Sequence, residues 1–457
     1  VPGDNQEVQV SYAPLPQEVT PGTTILLADG LISLKVVETT STDIVCQVMS
    51  GGELGERKGI NVPGVRINMP FLNDKDRDDI LFGIKMGVDY IAASFVRTAE
   101  DVLEIRRILE QEGAAIDIIA KIESQEGVNN LDDIIQVVDG IMVARGDLGV
   151  EIPAEEVPLV QKLLVDKCTS AGKPVIIATQ MLDSMINNPR PTRAEVSDVA
   201  NAIFDGADAI MLSGETAAGK YPVEVVETMA RIAYRAEQAL PYADILRRKR
   251  TRENPSVTDA ISYATCATAS NLGASAIITA TRTGQTARMV AKYRPQAAIV
   301  AATPDEKTVR KLALVWGVYP VLIDDVSGTD DLFEEAVRAA LAANYIKNGD
   351  LVVLTAGVPT GRSGATNLMK VHIVGEILVQ GMGIGSEVAK GPVRIIHGEG
   401  DVNRIQPGDI VVTYSADSYL GPYLSSIGAL IAEEGGLTSN AAIMGLNARI
   451  PVIVGAR

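Results

Sequence analysis

Apolar and polar positions first alternate two by two, the period of half-buried strands. "TTILLADGLISLKVV" reads as two strands around Asp29–Gly30, a hairpin signal, and "TTSTDIVCQVMSGG" continues the pattern, so residues 1–66 are β. At "NDKDRDDILFGIKMG" the period becomes helical. Asp74 can cap, Ile80, Leu81 and Ile84 share a face, and Gly87 stands where a helix-ending glycine belongs. Strands and helices then take turns. "DYIAASF" precedes a helix through Val102, Ile105 and Leu109 that closes at Gly113, and "IDIIAKIE" precedes one near "NLDDIIQVV". "DGIMVARGD", "KPVIIATQM" and "ADAIMLSGE" each lead into a further helix. Five such units with near-continuous apolar strands predict a parallel sheet clothed in helices, an α/β fold.

Prolines and a basic run at 241–256, "PYADILRRKRTRENPS", break the rhythm and read as a solvated linker. A second α/β block follows, with "ASAIITATRTGQTARMVAKYRP", "AAIVAATPDEKTVRKLALVWG" and "GDLVVLTAGVPTGRSGATN". Past the glycine-rich joint "QGMGIGSE", the last segment is β-rich with one or two short helices and the turn "EEGGLTSNAAI".

Length and charge narrow the picture. With 457 residues the chain exceeds a single core and predicts roughly three or four domains. The 58 acidic against 41 basic residues, a formal −17, repel phosphate on average and disfavour nucleic acid and anionic membrane as partners. Cys46, Cys168 and Cys266 are scattered, which fits a reducing cytoplasm and no disulfide framework. No run is long enough to span a bilayer. The chain starts at Val1 and stops on strand-like "RIPVIVGAR", so both ends read as cut.

Candidate chemistry gathers where the strands of the first block end. In "IIAKIESQEGV", Lys121 and Glu123 are two apart and leave a strand on the same face, about 6.5–7 Å from one another along the chain, while Ile118, Ala120 and Ile122 take the other face. Arg145, Gly146 and Asp147 end the next strand, Thr179 and Gln180 the one after, Ser213 and Glu215 the last. Parallel α/β sheets and barrels hold ligands on that rim. Glu123 and Asp147, from neighbouring strands, suit Mg²⁺ better than zinc, with no His or Cys nearby. Lys121 would be a fixed charge for an anionic substrate, and the backbone of "ARGD" (Ala144, Arg145, Gly146, Asp147) can receive oxyanions. Such equipment serves phosphoryl transfer or enolate stabilisation. Plainer roles compete: a strand-end ion pair for Lys121 and Glu123, a turn or cap for Asp147, an ordinary strand residue for Thr179.

"IIAKIESQEGV", "MVARGDLGVEIP", "VIIATQML" and "AIMLSGETAAGKYPVEVV" closely resemble the signature segments of pyruvate kinase, and the likeness runs in order to about residue 381. The resemblance implies a (β/α)₈ barrel, here incomplete at about five units. Its lid is a small β domain (1–66), the partial barrel spans 67–240, and an α/β effector domain spans 241–381. It implies Lys121 as the catalytic cation, Glu123 and Asp147 on Mg²⁺, and Gly146, Thr179, Arg145 and Ala144 on the substrate. Phosphoenolpyruvate and ADP would yield pyruvate and ATP, with K⁺ as a second ion whose ligands belong to strands not found before the lid. A cytoplasmic homotetramer is expected. Five units cannot close an eight-stranded barrel, so the chain is expected to be a fragment, inactive by itself. The effector domain implies a phosphorylated ligand at Thr281, Thr283, Gly284 and Thr286, where amides open a helix, with Arg362 closing over it. Residues 386–457 resemble the mobile phosphohistidine domain of phosphoenolpyruvate-utilising enzymes, with Asn440 where that family has histidine. An amide nitrogen cannot capture a phosphoryl group, which disfavours transfer through this tail. A Mg²⁺-dependent enolate lyase and a non-catalytic effector-binding module are the alternatives.

Overall fold

The structure is a computed structural model describing residues 3–4, 6–28, 30–56, 58–65, 67–249, 255–326, 328–358, 366–375, 381–385 and 387–456. The chain divides into two units, 1–374 and 375–457. The first unit opens with β1 (Thr24–Leu27), β2 (Ile32–Thr39), β3 (Ile44–Ser50) and β4 (Ile60–Asn61), an antiparallel sheet in the order β3-β2-β1-β4. The expected hairpin joins β1 to β2, pairing Leu27 with Ile32; Asp29 of its turn lies outside the described residues.

Next come β5 (Tyr90–Ala93), β6 (Asp117–Ile122), β7 (Gly140–Ala144), β8 (Val175–Ala178) and β9 (Ala209–Ile210), side by side in chain order and all parallel. Among the described residues they form an open sheet of five, as the five-unit pattern predicts. Capping boxes at Asn73/Asp76, Thr98/Asp101 and Thr192/Glu195 start three of the covering helices; left-handed Gly87 and Gly206 end the first and third of these, and Gly172 ends another. One face of the sheet (Ile118, Ala120, Ile122, Ile141, Val143, Val175, Ile177) is sealed against these helices. Each large apolar side chain there adds roughly 1.5–3 kcal/mol. The other face carries a smaller cluster, Ile119, Met142, Ile176 and Ala178, and Lys121 shares that side of β6.

The second block holds β10 (Ala276–Ala280), β11 (Ala298–Thr303), β12 (Val318–Leu322), β13 (Leu351–Gly357) and β14 (Thr366–Ile373), in the order β12-β11-β10-β13-β14 with only β14 antiparallel. It grips the first block through aspartates at the amino ends of the parallel strands. Asp89 meets Arg310 at 2.8 Å, Asp117 meets Arg288 at 3.1 Å, and Asp208 meets Arg294 at 3.0 Å. Asp208 also accepts the Val175 N–H, so one carboxylate both ties a strand end and holds the neighbouring block.

The second unit contains β15 (Met382–Ile384), β16 (Val393–Ile396), β17 (Ile410–Thr413), β18 (Ala429–Ala432) and β19 (Val452–Val454), ordered β15-β19-β18-β17-β16. Its sheet begins at Met382, ahead of the expected boundary at 386, because β15 pairs antiparallel with β19 despite its glycines.

The basic stretch corrects the linker expectation. Tyr242–Lys249 is a helix whose Leu246 is buried in the core of the second block, and residues 250–254 lie outside the description. Arg247 and Arg248 stay exposed while Leu246 is buried and Tyr242, Ile245 and Lys249 are half-buried, so the short helix is amphipathic within a stretch whose composition reads as basic. Lys249 donates to the Lys292 carbonyl at 2.6 Å. Burial, reinforced by Arg294, pushes its ammonium down to about 7. Between that value and the ordinary lysine range the unfolded chain binds a proton the folded chain does not, so stability rises with pH there and is lost as pH falls back towards 7. Thermal melts of the unmodified protein should therefore gain more between pH 7 and 9 than those of Lys249→Met; parallel curves would clear Lys249 of the effect.

Candidate active site

Lys121 and Glu123 meet where β6 ends. The Lys121 ammonium lies 2.8 Å from Glu123 Oε1 and donates to Ser94 Oγ, also at 2.8 Å, just beyond β5. Glu123 is wholly buried. Its Oε2 accepts the Phe95 N–H at 2.6 Å, while Oε1 has the ion contact and no hydrogen bond of good geometry among the described residues. To present that N–H, Phe95 adopts a left-handed φ of +52°. Burial raises the Glu123 carboxyl above the usual range; Lys121 and the Phe95 N–H oppose the shift, and the charge of Asp147 adds to it. The two carboxylates thus lie within each other's field, and Oε1 has the Lys121 ion contact as its one partner among the described residues. Glu123 and Asp147 fit Mg²⁺, which takes one or two carboxylates and leaves other positions to water and substrate. Among the described residues no group of three or more His, Cys, Asp or Glu could hold a metal, so this pair is the candidate.

Asp147 is neither an isolated turn residue nor a cap. It sits in the first turn of a short helix, Arg145–Glu151, that follows β7 directly. Gly146 N–H donates to Thr179 Oγ1 at 2.7 Å, and that hydroxyl donates to the Ala178 carbonyl at 2.6 Å. A Cβ on Gly146 would meet Thr179 at an ordinary 3.5 Å, so internal packing does not require glycine. Thr179 and Gln180 hold φ of +70° and +54°. For a β-branched residue that is an outlier, costing on the order of 1–3 kcal/mol. It is the mark that separates Thr179 from an ordinary strand threonine.

Arg145 departs from its expected role as a substrate contact. Its guanidinium donates to Asp198 Oδ1 at 2.7 Å and to the carbonyls of Thr179 at 2.8 Å and Ala178 at 3.3 Å, so it fastens the β8 turn from behind. Ala144 supplies only backbone, as the residue preceding that helix. Glu215, buried past β9, accepts the N–H groups of Leu182 at 3.1 Å and Ser213 at 2.8 Å and ties two loops together. Sequence inspection missed Ser94, Phe95, Asp198 and the lid contact. In that contact Asn61 of β4 donates to Glu151 Oε1 at 3.0 Å, one turn beyond Asp147. The only sequence signal for the first two was their place after β5, equivalent to the polar ends of its neighbours.

At the expected effector turn, Thr281 Oγ1 accepts the Gly284 N–H at 3.0 Å and the buried Thr286 hydroxyl is shared with Thr366 at 2.9 Å. Those two groups are therefore engaged internally, which corrects the expectation of a free amide at Gly284. Thr283 is exposed, and Arg362 lies outside the described residues. In the tail, Asn440 is exposed at the start of helix Asn440–Ala448, capped by Ser439.

Comparison with known proteins agrees along the chain. Residues 2–226 match the pyruvate kinase barrel domain, 259–372 the pyruvate kinase alpha/beta domain, and 405–457 the mobile domain of PEP-utilising enzymes. A pyruvate kinase of Geobacillus stearothermophilus is 56% identical over 457 residues, covering 99% of this chain and 78% of the relative. Those of Bacillus licheniformis and Sporosarcina psychrophila are 54% and 51% identical, over 99% and 100% of this chain and again 78% of each relative. The expectation of an inactive fragment draws no support from these matches.

Replacing Arg145 by Met should lower stability by about 3 kcal/mol in urea titrations, because Asp198 and two carbonyls lose their donor. Lysine should not restore it, lacking the planar fork. An unchanged midpoint would show that the β8 turn holds without this hub.

Proposed function

The chain belongs to the pyruvate kinase family, and from that premise we propose that Lys121, Glu123 and Asp147 carry its chemistry, with Gly146 and Thr179 orienting the substrate. The family reaction moves the phosphoryl group of phosphoenolpyruvate to ADP, giving pyruvate and ATP, and depends on Mg²⁺ and K⁺. The observation that supports the residue assignment is the buried Glu123 carboxylate, ion-paired with Lys121 and lying within the field of Asp147.

Each side chain has a task its surroundings allow. Glu123 and Asp147 would hold Mg²⁺, which when bound neutralises charge on the transferring phosphoryl group. Lys121, held by Ser94 and Glu123, is a pre-placed cation for the phosphoryl oxygens and for the enolate oxygen left behind. The backbone from Ala144 to Asp147 would bind substrate, with Gly146 N–H exchanging its Thr179 partner for a substrate oxygen. Thr179 Oγ1, already both donor and acceptor, would stand near the carbon that gains a proton. Arg145 is a positioning residue behind them.

To the same reading belong four domains (lid, partial barrel, effector, mobile tail), a homotetramer and a cytoplasmic location. No helix among the described residues is long and apolar enough to cross a membrane. A phosphorylated effector at the turn from Thr281 to Thr286 completes it, supported by the exposure of Thr283.

ADP-dependent pyruvate formation by the purified chain, followed with lactate dehydrogenase, tests the assignment. Lys121→Met should lose about 10²–10³-fold in kcat, the range for removing one donor to developing charge, when assayed below its lowered melting point, since Glu123 loses its ion pair. Full activity in that variant would sink it. Asn61→Ala should raise the KM for phosphoenolpyruvate, or lower kcat, while the melting midpoint stays put, since it releases the lid rather than the core; unaltered kinetics would show the lid docks without this contact.

A further inference from the structure

Far from the rim, at the amino ends of the strands, a small cavity lies between the first block and the second. It measures about 10 Å³, the room needed for one water-sized species, and its lining includes Thr169, Lys173, Asp208, Arg288, Lys292 and Arg294. Three buried polar atoms on these residues have no hydrogen-bond partner among the described residues: Arg288 Nε, Arg294 Nε and Thr169 Oγ1. Arg294 is 4% exposed and Thr169 5%. Leaving such groups unmet costs on the order of 1–3 kcal/mol each, more when the group is charged.

The lining carboxylate cannot serve them. Asp208 already accepts from Arg294 Nη2 at 3.0 Å and from the N–H groups of Val175 at 3.1 Å and Trp316 at 3.0 Å. The other acids are committed as well, Asp117 to Arg288 and Asp259 to Lys292. Lys173 donates to backbone carbonyls, those of Ile135 and Val138, and feels the charge of Asp139 only through space. The lining thus carries four cations and one carboxylate, and Asp117 outside it is shared between Arg288 and Lys311. Burial holds the Lys173 ammonium below its ordinary range, and the neighbouring Lys249 falls to about 7 through burial and repulsion from Arg294.

We propose that this cavity binds one halide-sized monovalent anion, such as chloride, held by the Nε–H groups of Arg288 and Arg294 and the Thr169 hydroxyl, and that it fastens the two α/β blocks. Three unpartnered donors on residues of a lining rich in cations match a single anion. The space is too small for sulfate or a phosphate ester. Because Arg288 and Arg294 also hold Asp117 and Asp208, an occupant at Nε would stiffen both interblock ion pairs from behind.

Crystals of the whole chain grown in bromide should show anomalous density in the cavity. Melting in chloride, against gluconate at constant ionic strength, should rise saturably by roughly 2 °C once chloride exceeds its dissociation constant tenfold. Thr169→Val should weaken both signals and leave turnover unchanged, since Thr169 lies outside the catalytic machinery. A cavity holding water alone, with no bromide density, or identical melting in the two salts overturns the proposal. The bromide measurement on the unmodified protein stands even if the variant does not fold.

Discussion

A carboxylate with no access to solvent sets the terms for the rim of the first block. An unpaired buried charge is untenable, and Glu123 keeps its place only through Lys121 on one side and the Phe95 N–H on the other. Those partners come from two adjacent strands, so the β5–β6 register has to be right before the charge can be accommodated. Asp147, brought in by the next strand, adds its negative charge to the same end and pushes the Glu123 carboxyl further up.

The rim also stores strain. Phe95, Thr179 and Gln180 all have left-handed backbones, each costing on the order of 1–3 kcal/mol. Compensation comes from internal contacts: Arg145 bracing the β8 turn, Glu215 joining the loops after β8 and β9, and the apolar face beneath. The opposite end of the same sheet is the reverse case. There the aspartates are satisfied, and the unanswered groups are cations. One end is arranged for chemistry and the other for attachment.

The order of elements was legible because local signals agree with the final fold. Capping boxes, helix-ending glycines and apolar strands are each encoded within a few residues, and the five parallel strands follow in sequence order. Lys121 and Glu123 could be paired from a two-residue spacing alone. Elsewhere local signals misled. Helix Tyr242–Lys249 looked like a solvated linker because its anchors, Leu246, Tyr242 and Lys249, are scattered through a basic, proline-flanked run, and β15 hid in a glycine-rich joint because its partner, β19, comes about seventy residues later.

The strand periodicity, the helix boundaries and the acid–base pair on β6 were therefore determined by the sequence, since each depends on neighbours in the chain. Which polar groups are free and which are spent was decided only by tertiary structure. Arg145 and Gly284 look available in the sequence and prove to be engaged, while Ser94, Phe95 and Asn61 look incidental and prove to hold the site. Hydrogen-bond satisfaction is a property of groups that meet across sequence gaps of tens of residues, and no local pattern carries it.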